Sequence, residues 1–436
     1  MVKTYRKAAG KPFAIPTLTN YYVCVSDAKQ INEMRKAPSH QLSFRNFLQE
    51  TVWPQHTRLS SLEGSNHDNN VSTLALTMGL RSNLPALRKG LQGRLQEAFE
   101  HEIRGSKDSN GWIKMPASAA SYRIAGKLNC FVILGEKLAN DPFLAQATLQ
   151  FAYDAAITSE LMRFTPSILQ RFLQERISRE IRERLSSQSR AEEADKEQLD
   201  CIQWTINAFR RSNEMSLTGT LERSMGFLFA SAHQVPPLVA SSLYTLCKHP
   251  EYLHPLQEEV SRIAEDDLSR TRNQDTPLLD SFIKETARLH PLQTVALNRK
   301  VMTPFVFSDG THVPAGNTVC IPQQAMMLDP ENYANPLEFQ GFRFVTQRDG
   351  VVTSTSRLSH PSPLFPFWGS VGRSCFVSPA RFYVSMVVKM ILIHVIKHYD
   401  IKLADGDAKP HFSWGVNLIT HPSLVFLIRE RKKESV

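Results

Sequence analysis

The sequence contains no long apolar run, no closely spaced cysteines and no internal repeats. No stretch reaches the roughly 18 to 20 apolar residues that a membrane-spanning helix needs. The basic segment at 1–10 also lacks the apolar core of a signal peptide. The six cysteines are scattered and form no Cys-x-x-Cys motif. This argues against a disulfide framework and is typical of a reducing compartment.

Composition limits the classes of partner. The 436 residues carry a formal net charge of +9, and 42% of them are hydrophobic. Such a composition fits a folded globular protein and argues against wholesale disorder. Excess positive charge suits nucleic acid, a membrane surface or an acidic protein. Because no basic stripe with interleaved aromatics occurs, the sequence predicts no nucleic-acid partner.

Apolar spacing predicts a mainly helical chain with a small β region late in the sequence. Helical patterns cover residues 84–103, 219–246, 250–270 and 278–290, and strand-like pieces cluster at 295–322 and 411–428. Pro85 is expected in the first turn of its helix, where a missing N–H is harmless. Helices therefore dominate the predicted architecture.

The most distinctive motif is a glycine-rich loop that holds one cysteine. Cys375 lies in the segment PFWGSVGRSCFVSPARF at 366–382, directly before a helix-forming stretch. Glycines let the backbone approach a ligand closely, and the N–H groups of the loop and of the next helix favour an anionic sulfur. Such a thiolate can ligate haem iron. A buried free cysteine is the ordinary alternative.

Two further motifs precede this loop. Glu285 and Arg288 are three residues apart on a predicted helix, so they share a face and can pair. Arg343 lies between aromatic residues in the segment FQGFRF at 339–344. The alternative is an exposed ion pair and an unrelated arginine, which would contribute less than about 1 kcal/mol.

A Glu-x-x-Arg pair, an aromatic-flanked arginine and a glycine-rich cysteine loop, in this order, resemble the cytochrome P450 family. The resemblance extends to a first strand pair at 11–16 and 21–26, a hairpin at 309–316 and a short helix at 323–329. It is nearest to fungal P450s of secondary metabolism that act on terpenoids, including the ent-kaurene oxidase-like group. It implies one P450 catalytic domain over residues 1–436, mainly α with a small β region.

The resemblance also implies a cofactor and its contacts. The cofactor would be haem b, with Cys375 as the axial ligand of the iron. Arg299 and Arg373 match positions where relatives bind the haem propionates, and guanidinium suits carboxylates because it donates in pairs and stays charged. Phe367 and Gly369 would belong to the cofactor-binding part of the loop.

Structural and substrate roles follow from the same resemblance. Glu285, Arg288 and Arg343 would form a buried triad that fixes the geometry behind the haem more than it adds net stability, because desolvation offsets much of the attraction. The predicted pocket residues are apolar or small: Phe227, Ala230, Ser231, Thr294, Val295, Ala296 and the turn at 416–419. They suit a hydrophobic substrate but do not identify it.

The cysteine loop departs from the family pattern. Relatives place proline directly after the ligand cysteine, whereas residues 376–378 separate Cys375 from Pro379 here. Three extra residues rotate a helix start by nearly a full turn, at about 100° per residue. A shifted splice boundary and a genuine insertion are both open explanations.

The long helix departs as well, because it lacks the threonine that relatives use to relay protons to bound dioxygen. His233 and Gln234 occupy this region and are the candidates for proton delivery. A histidine titrates near neutrality, although on an apolar helix it is more often a core residue. A glutamine can hold water but does not pass a proton readily. The double proline at 236–237 is expected to kink the helix.

The implied activity is mono-oxygenation of a hydrophobic secondary metabolite of terpenoid type. It would use O2 and electrons from NADPH, supplied by an acidic NADPH–cytochrome P450 reductase. One alternative is a P450-fold isomerase or dehydratase that needs neither O2 nor a reductase. Another is an inactive haem-binding product of an incorrect gene model.

Location is implied only by the resemblance. Fungal relatives sit on the cytosolic face of the endoplasmic reticulum membrane through an N-terminal anchor, and this chain is expected to begin just after that anchor. A soluble cytoplasmic location is the alternative, since the sequence contains no transmembrane segment. Peripheral membrane contact is compatible with both.

Overall fold

A computed structural model describes most of the chain. The described residues are 1–17, 20–52, 66–105, 107–144, 146–148, 200–212, 217–263, 276–348, 351–369, 378 and 380–431, with short pieces between 175 and 183. For part of 66–84 only the backbone is described.

Helices make up most of the described residues. They are α1 Val2–Ala8, α2 Ala28–Lys36, α3 Phe44–Val52, α4 Asn66–Glu102, α5 Ala117–Ala139, α6 Cys201–Ser212, α7 Leu217–Lys248, α8 Leu253–Ser261, α9 Pro277–Leu289, α10 Gln323–Met327 and α11 Arg381–His398. Single 3-10 turns cover Pro250–Tyr252 and Pro366–Trp368.

The strands are short and lie mostly in the second half of the chain. They are β1 Phe13–Pro16, β2 Tyr21–Cys24, β3 Leu42–Ser43, β4 Ile113–Pro116, β5 Ala296–Val301, β6 Phe305–Val306, β7 His312–Val313, β8 Thr318–Ile321, β9 Val345–Arg348, β10 Val351–Ser354, β11 Tyr399–Leu403, β12 His411–Trp414, β13 Asn417–Thr420 and β14 Val425–Glu430. The predicted strand clusters near 295–322 and 411–428 are both present.

The largest sheet carries the early strand pair and the strands that follow α9. Its order is β1-β2-β8-β5-β3, in which β2 runs parallel to β8 and the other neighbours are antiparallel. A second sheet has the order β11-β14-β4, and β12 pairs with β13 as a hairpin. Alternation along β14 buries Phe426 and Ile428 on one face, as expected of a sheet packed on a helical core.

Helix α7 runs through the middle of the main core. It packs against α5, α6, α9 and α11, and Val235, Leu238 and Val239 on it are almost fully buried. A helix that is apolar on most sides is expected at such a position. Pro236 and Pro237 lie inside α7, and the helix continues through both.

One sequence expectation about a helix start was wrong. Helix α4 begins at Asn66, so Pro85 lies in its interior rather than in a first turn. The side chain of Pro85 is exposed. A solvent-facing proline can be accommodated inside a helix when packing of the opposite face holds that helix in place, and Leu87, Leu91 and Leu95 are almost fully buried there.

Helix α9, whose buried face is partly charged, is capped at its start by a side chain from α8. It starts with Pro277 at the first helical position, where proline is favoured. Its first N–H groups have no intrahelical acceptor, and those of Leu278 and Leu279 donate to the Glu259 carboxylate at 2.7 and 2.9 Å. Glu259, from α8, therefore caps α9 and complements the positive end of its dipole.

Candidate functional site

The structure brings Glu285, Arg288 and Arg343 together. Arg288 donates twice to Glu285, through Nε to Oε2 and through Nη2 to Oε1, both at 2.8 Å. Arg343 Nε donates to the same Oε1 at 3.0 Å. The side chains of Glu285 and Arg288 are fully buried, and that of Arg343 is 10% exposed. A carboxylate shared by two guanidinium groups is well compensated in such a buried setting.

Backbone carbonyls satisfy the remaining guanidinium donors. Arg288 Nη1 donates to the carbonyls of Met327 and Pro336 at 2.7 Å, and Arg343 Nη1 donates to that of Ala334 at 2.7 Å. The ring of Tyr333 lies 5.0 Å from the Arg288 guanidinium carbon. The triad therefore holds the irregular segment 327–338 against α9, because each arginine bonds several turns of that segment.

A second buried charge network joins α9 to α11. Lys389 Nζ donates to Asp280 Oδ1 at 2.7 Å, and both side chains are almost fully buried. Asp280 Oδ2 accepts from the backbone N–H of Leu358 at 2.5 Å. The carbonyl of Leu358 accepts in turn from Trp368 Nε1. Asp280 thus links two helices to the segment that leads into the cysteine loop.

Lys284, one turn along α9, reinforces the same segment. It is 1% exposed, and its Nζ donates to the carbonyls of Ser356 and Arg357 at 3.2 Å. The ammonium group also lies 4.5 Å from the ring centre of Phe344 and 4.9 Å from that of Phe365. Burial lowers the pKa of Lys284 to about 8. Carbonyl and ring contacts compensate the cation here.

The neck of the cysteine loop is closed by a backbone hydrogen bond. Ser378 N donates to the carbonyl of Trp368 at 2.8 Å, so the two ends of the loop meet there. Phe367 stacks on Phe365 with ring centres 5.5 Å apart. Gly369 has φ of +94°, a value that side-chain-bearing residues rarely adopt, so the turn into the loop needs glycine there.

Of the predicted cofactor residues, the structure describes Arg299, Phe367 and Gly369. Cys375 and Arg373 lie outside the described residues, as do residues 376 and 377 of the extra segment. Arg299 is described and lies on β5, where it is 3% exposed. Its Nη1 donates to the carbonyl of Asn298 at 2.7 Å, and its guanidinium carbon lies 5.0 Å from the ring centre of Phe44. Burial of this cation is consistent with a prepared anion-binding group.

His233 and Gln234 lie in the middle of α7 and differ in their hydrogen bonding. His233 Nδ1 lies 2.6 Å from the carbonyl oxygen of Phe229, one turn earlier on the same helix. The geometry requires the Nδ1–H tautomer, which donates there and leaves Nε2 as an acceptor. Burial lowers the pKa of His233, so the ring is neutral near pH 7. Gln234 Oε1 is buried and has no hydrogen-bond partner among the residues that the structure describes.

The predicted pocket segments come together. Thr294 N and Thr294 Oγ1 donate to the carbonyl of Val416 at 2.8 and 3.2 Å. Leu418 N donates to the carbonyl of Leu292 at 3.0 Å. Helix α7 also packs on β13, so it lies beside the turn at 416–419. The turn at 416–419 is therefore fastened to the segment after α9.

Individual pocket residues differ in what they can contact. Ala230 is exposed, and Phe227 and Ala296 are half-buried. Ser231 is 7% exposed and donates to the carbonyl of Leu228 at 3.0 Å. Val295 is fully buried and supports the wall from behind. A separate cleft of about 730 Å³, between α1, α2 and residues 362–366, touches none of the predicted pocket residues.

Comparison with known proteins identifies the family. The cytochrome P450 family model matches residues 2–429. The chain belongs to the cytochrome P450 family. The model is also similar to the retinoic acid-bound cyanobacterial CYP120A1, with a TM-score of 0.74 and 16% identity, covering 98% of this chain and 94% of that one. At such identity this likeness shows the fold alone, and it confirms the predicted mainly α P450 architecture.

Fungal relatives cover nearly the whole chain of this P450. It is 24% identical to cytochrome P450 monooxygenase BOA4 of Botryotinia fuckeliana, over 99% of this chain and 88% of that protein. It is 27% identical to cytochrome P450 monooxygenase terQ of Tolypocladium album, over 91% and 78%. It is 26% identical to cytochrome P450 monooxygenase ltmQ of Epichloe festucae var. lolii, over 98% and 86%. These names confirm the prediction of a fungal-type P450 monooxygenase.

The described residues of this P450 fit a haem cofactor. The hydrogen bond between Ser378 and Trp368 lies just before the N-terminus of α11 at Arg381, whose dipole favours an anionic group. Gln234 Oε1 is an orphaned acceptor on the central helix, as expected of a group that faces a ligand or ordered water. No described helix is sufficiently long and apolar to traverse a lipid bilayer.

Several residues of the site were missed by sequence reasoning. Asp280, Lys284 and Lys389 are buried, and with Trp368 they hold the approach to the cysteine loop. A signal was available, because Asp280, Lys284 and Arg288 recur every four residues on one face of a predicted helix. Arg288 is predicted to belong to a buried pair, so further charges on its face of the helix indicate a charged interior face rather than a solvated one.

Proposed function

We propose that this P450 inserts one oxygen atom from O2 into a C–H bond of a hydrophobic metabolite of terpenoid type. The family match and the monooxygenase names of the relatives support the reaction class. The observation that carries the proposal is the closed neck at Trp368 and Ser378. It is tied through Leu358 to Asp280 on α9 and Lys389 on α11.

In this proposal haem b binds between α7 and the cysteine loop. Cys375 would supply the thiolate ligand, Arg299 and Arg373 would donate to the propionates, and Phe367 and Gly369 would contact the cofactor. Haem supplies the activation of O2 and the transfer of one oxygen atom. The triad of Glu285, Arg288 and Arg343 fixes segment 327–338 and would help to hold the Cys375 sulfur in one position.

The protein's part on the opposite face is to hold water and exclude bulk solvent. Pro236 and Pro237 have no N–H, so the carbonyls of Ala232 and His233 lack their usual intrahelical donor. Together with Gln234 Oε1 they offer three acceptors for ordered water. His233 Nδ1 holds its proton against the Phe229 carbonyl, and the neutral ring is a poor acid near pH 7. Protons would therefore arrive through water held at Gln234.

The substrate class follows from the lining. Phe227, Ala230 and Ala296 offer small or apolar surface, and the turn at 416–419 completes the wall. Such a pocket orients an apolar scaffold chiefly by shape. Electrons would come from NADPH through a P450 reductase, whose acidic docking face would match the net charge of +9. This reaction would take place on the cytosolic face of the endoplasmic reticulum membrane.

Labelled dioxygen tests the proposal. Haem-loaded enzyme, a fungal P450 reductase and NADPH are incubated under ¹⁸O2 with a panel of terpene hydrocarbons and matched linear fatty acids. The proposal expects one labelled oxygen in a terpenoid product, and no product when reductase or NADPH is omitted. Labelled products from the fatty acids alone would contradict the substrate class.

An isomerase or dehydratase is the second candidate, because residues 227–237 of α7 include no threonine and their histidine is neutral. Such an enzyme converts its substrate without net oxidation. Product that forms without O2, NADPH and reductase would establish this function and reject mono-oxygenation.

A further inference from the structure

Two cysteines far apart in sequence meet inside the largest sheet. Cys24 ends β2 and Cys320 lies on β8, and the two residues are in-register partners of the parallel pair. Their sulfur atoms are 3.6 Å apart, and both side chains are fully buried. Both are free thiols. The contact is therefore a weak S–H···S hydrogen bond between two thiols.

The backbone spacing at this pair suits a covalent link. Neighbouring strands lie about 4.8 Å apart. Disulfides span Cα separations of about 4.4 to 6.8 Å. In-register partners whose sulfurs already touch need only side-chain rotation to reach bonding distance. Strand β2 is held between β1 and β8, so its position is fixed before any bond forms.

The two thiols are separated from solvent by a layer of partly buried residues. Cys24, Cys320 and Val295 form a small buried cluster, against which the partly buried residues Met1, Phe13, Ile15, Tyr22 and Val416 pack. Three of these come from the short strands β1 and β2, and Val416 belongs to the turn at 416–419. A small neutral oxidant can reach the sulfurs when this layer opens locally, without unfolding of the main core.

We propose that Cys24 and Cys320 form a redox modification site, at which hydrogen peroxide produces an intramolecular disulfide. One thiolate attacks a peroxide oxygen, which breaks the O–O bond and gives a sulfenic acid and water once protons are balanced. The second thiol then attacks the sulfenic sulfur, forming the S–S bond and releasing a second water. In total two thiols lose two electrons and two protons, and one peroxide becomes two waters.

The link would connect the two halves of the sheet beneath the proposed pocket. Val295 and Val416, both in predicted pocket segments, pack on the same cluster. Burial and the Cys24 contact raise the pKa of Cys320, so its thiolate is scarce at neutral pH. The reaction is therefore expected to be slow at neutral pH and faster in alkaline buffer.

Peptide mapping of the purified full-length protein tests the proposal. The folded protein is treated with dilute hydrogen peroxide, its free thiols are alkylated, and it is digested without reductant. The expected result is a linked pair of peptides carrying Cys24 and Cys320, which disappears on treatment with dithiothreitol. Cys24→Ser and Cys320→Ser are each expected to abolish the pair, and Cys247→Ser is expected to keep it.

Two results would overturn the proposal. One is recovery of Cys24 and Cys320 as alkylated free thiols under conditions that oxidise Cys247. The other is a mixture of cross-links no different from that of the urea-unfolded chain, which would show that the native contact directs nothing. The wild-type map decides by itself if either serine variant fails to fold.

Discussion

The two faces that would enclose the haem are built in opposite ways. In the loop scaffold, which comprises α9, α11 and residues 355–369, the buried carboxylates have several hydrogen-bond donors each. Glu285 and Asp280 each accept hydrogen bonds from more than one donor. The distal segment, residues 227–237 of α7, contains two prolines, and Gln234 Oε1 in it has no partner in the part of the chain that the structure describes.

Under the proposed function, the loop scaffold would hold the cofactor and the distal segment would contact its reactants. A buried charge with several partners cannot move without large cost, so the loop scaffold fixes one geometry. A helix with unpaired acceptors leaves hydrogen-bonding capacity for water or substrate. Substitutions in the scaffold should therefore impair folding and haem uptake, whereas substitutions in the distal segment should change chemistry with little effect on stability.

Glu285→Gln is expected to give the largest effect. The neutral amide leaves two buried guanidinium groups without their shared anion, at a cost of about 5 kcal/mol. That loss is comparable to the whole stability of many domains. We expect little soluble protein and little haem per chain, measured by Soret absorbance against protein concentration.

Glu258→Gln is the matched control for this prediction. Its side chain is 61% exposed on α8, and its Oε1 lies 3.5 Å from His254 Nδ1, so yield and haem content should stay within error of the wild type. Normal haem content in Glu285→Gln would contradict the role given to the triad.

Asp280→Asn should come next. The amide can still accept one hydrogen bond, but Lys389 then remains buried without an anion, at a cost of about 3 kcal/mol. The chain should fold, with a lower denaturation midpoint and weaker haem retention in a transfer assay to apomyoglobin. Asp407→Asn, at an exposed turn, is the control. Unchanged haem retention in Asp280→Asn would separate this network from the cofactor loop.

The raised pKa of Glu259, which caps α9 from α8, predicts that the stability of the protein depends on pH. Burial raises its pKa from 4.5 to about 7. Between pH 4.5 and about 7 the folded protein therefore binds a proton at this carboxyl more tightly than the unfolded chain does. This contribution is fully present below about pH 4.5 and is lost as the pH rises through about 7, an effect of about 1–3 kcal/mol. Urea unfolding of wild type and Glu259→Gln at several pH values measures it.

The Glu259→Gln variant should lack that slope, and its overall stability should be lower because it loses a charged cap of α9. Glu258→Gln, one residue earlier and exposed, should retain the wild-type slope. Equal slopes in wild type and Glu259→Gln would show that another group titrates in this window.

Gln234→Leu should have the smallest effect on stability and a clear effect on chemistry. Removing an orphaned buried acceptor costs little, so the denaturation midpoint should stay within about 0.5 kcal/mol of the wild type. Fewer products should form per NADPH consumed, because water is no longer held at this position. The ratio of product to NADPH measures this coupling, and Gln257→Leu on α8 is a distant control. Unchanged coupling would remove Gln234 from the proposed water path.

The fold could be predicted largely because its signals are local. The His-Pro pair after Arg288 marks the end of α9, and the strand pieces near 295–322 and 411–428 carry apolar runs bounded by turns. The start of α4 was missed because proline suggests a helix start. The packing of α4 on neighbouring helices overrode that preference at Pro85.

The site could be predicted only where motifs carry it. The triad motif drew attention to Glu285, whereas Asp280 depends on Leu358 and Lys389, which are distant in sequence. The pairing of Thr294 with Val416 likewise arises from topology. The contact between Cys24 and Cys320 depends on a parallel strand register across almost 300 residues, which no spacing rule reveals.

The difference spectrum of the reduced carbon monoxide complex tests the central claim most directly. Purified wild-type protein treated with dithionite and carbon monoxide should give the long-wavelength Soret band of thiolate-ligated haem, and Cys375→Ser should lose that band. Colourless well-folded protein, or a serine variant with an unchanged spectrum, would contradict the account.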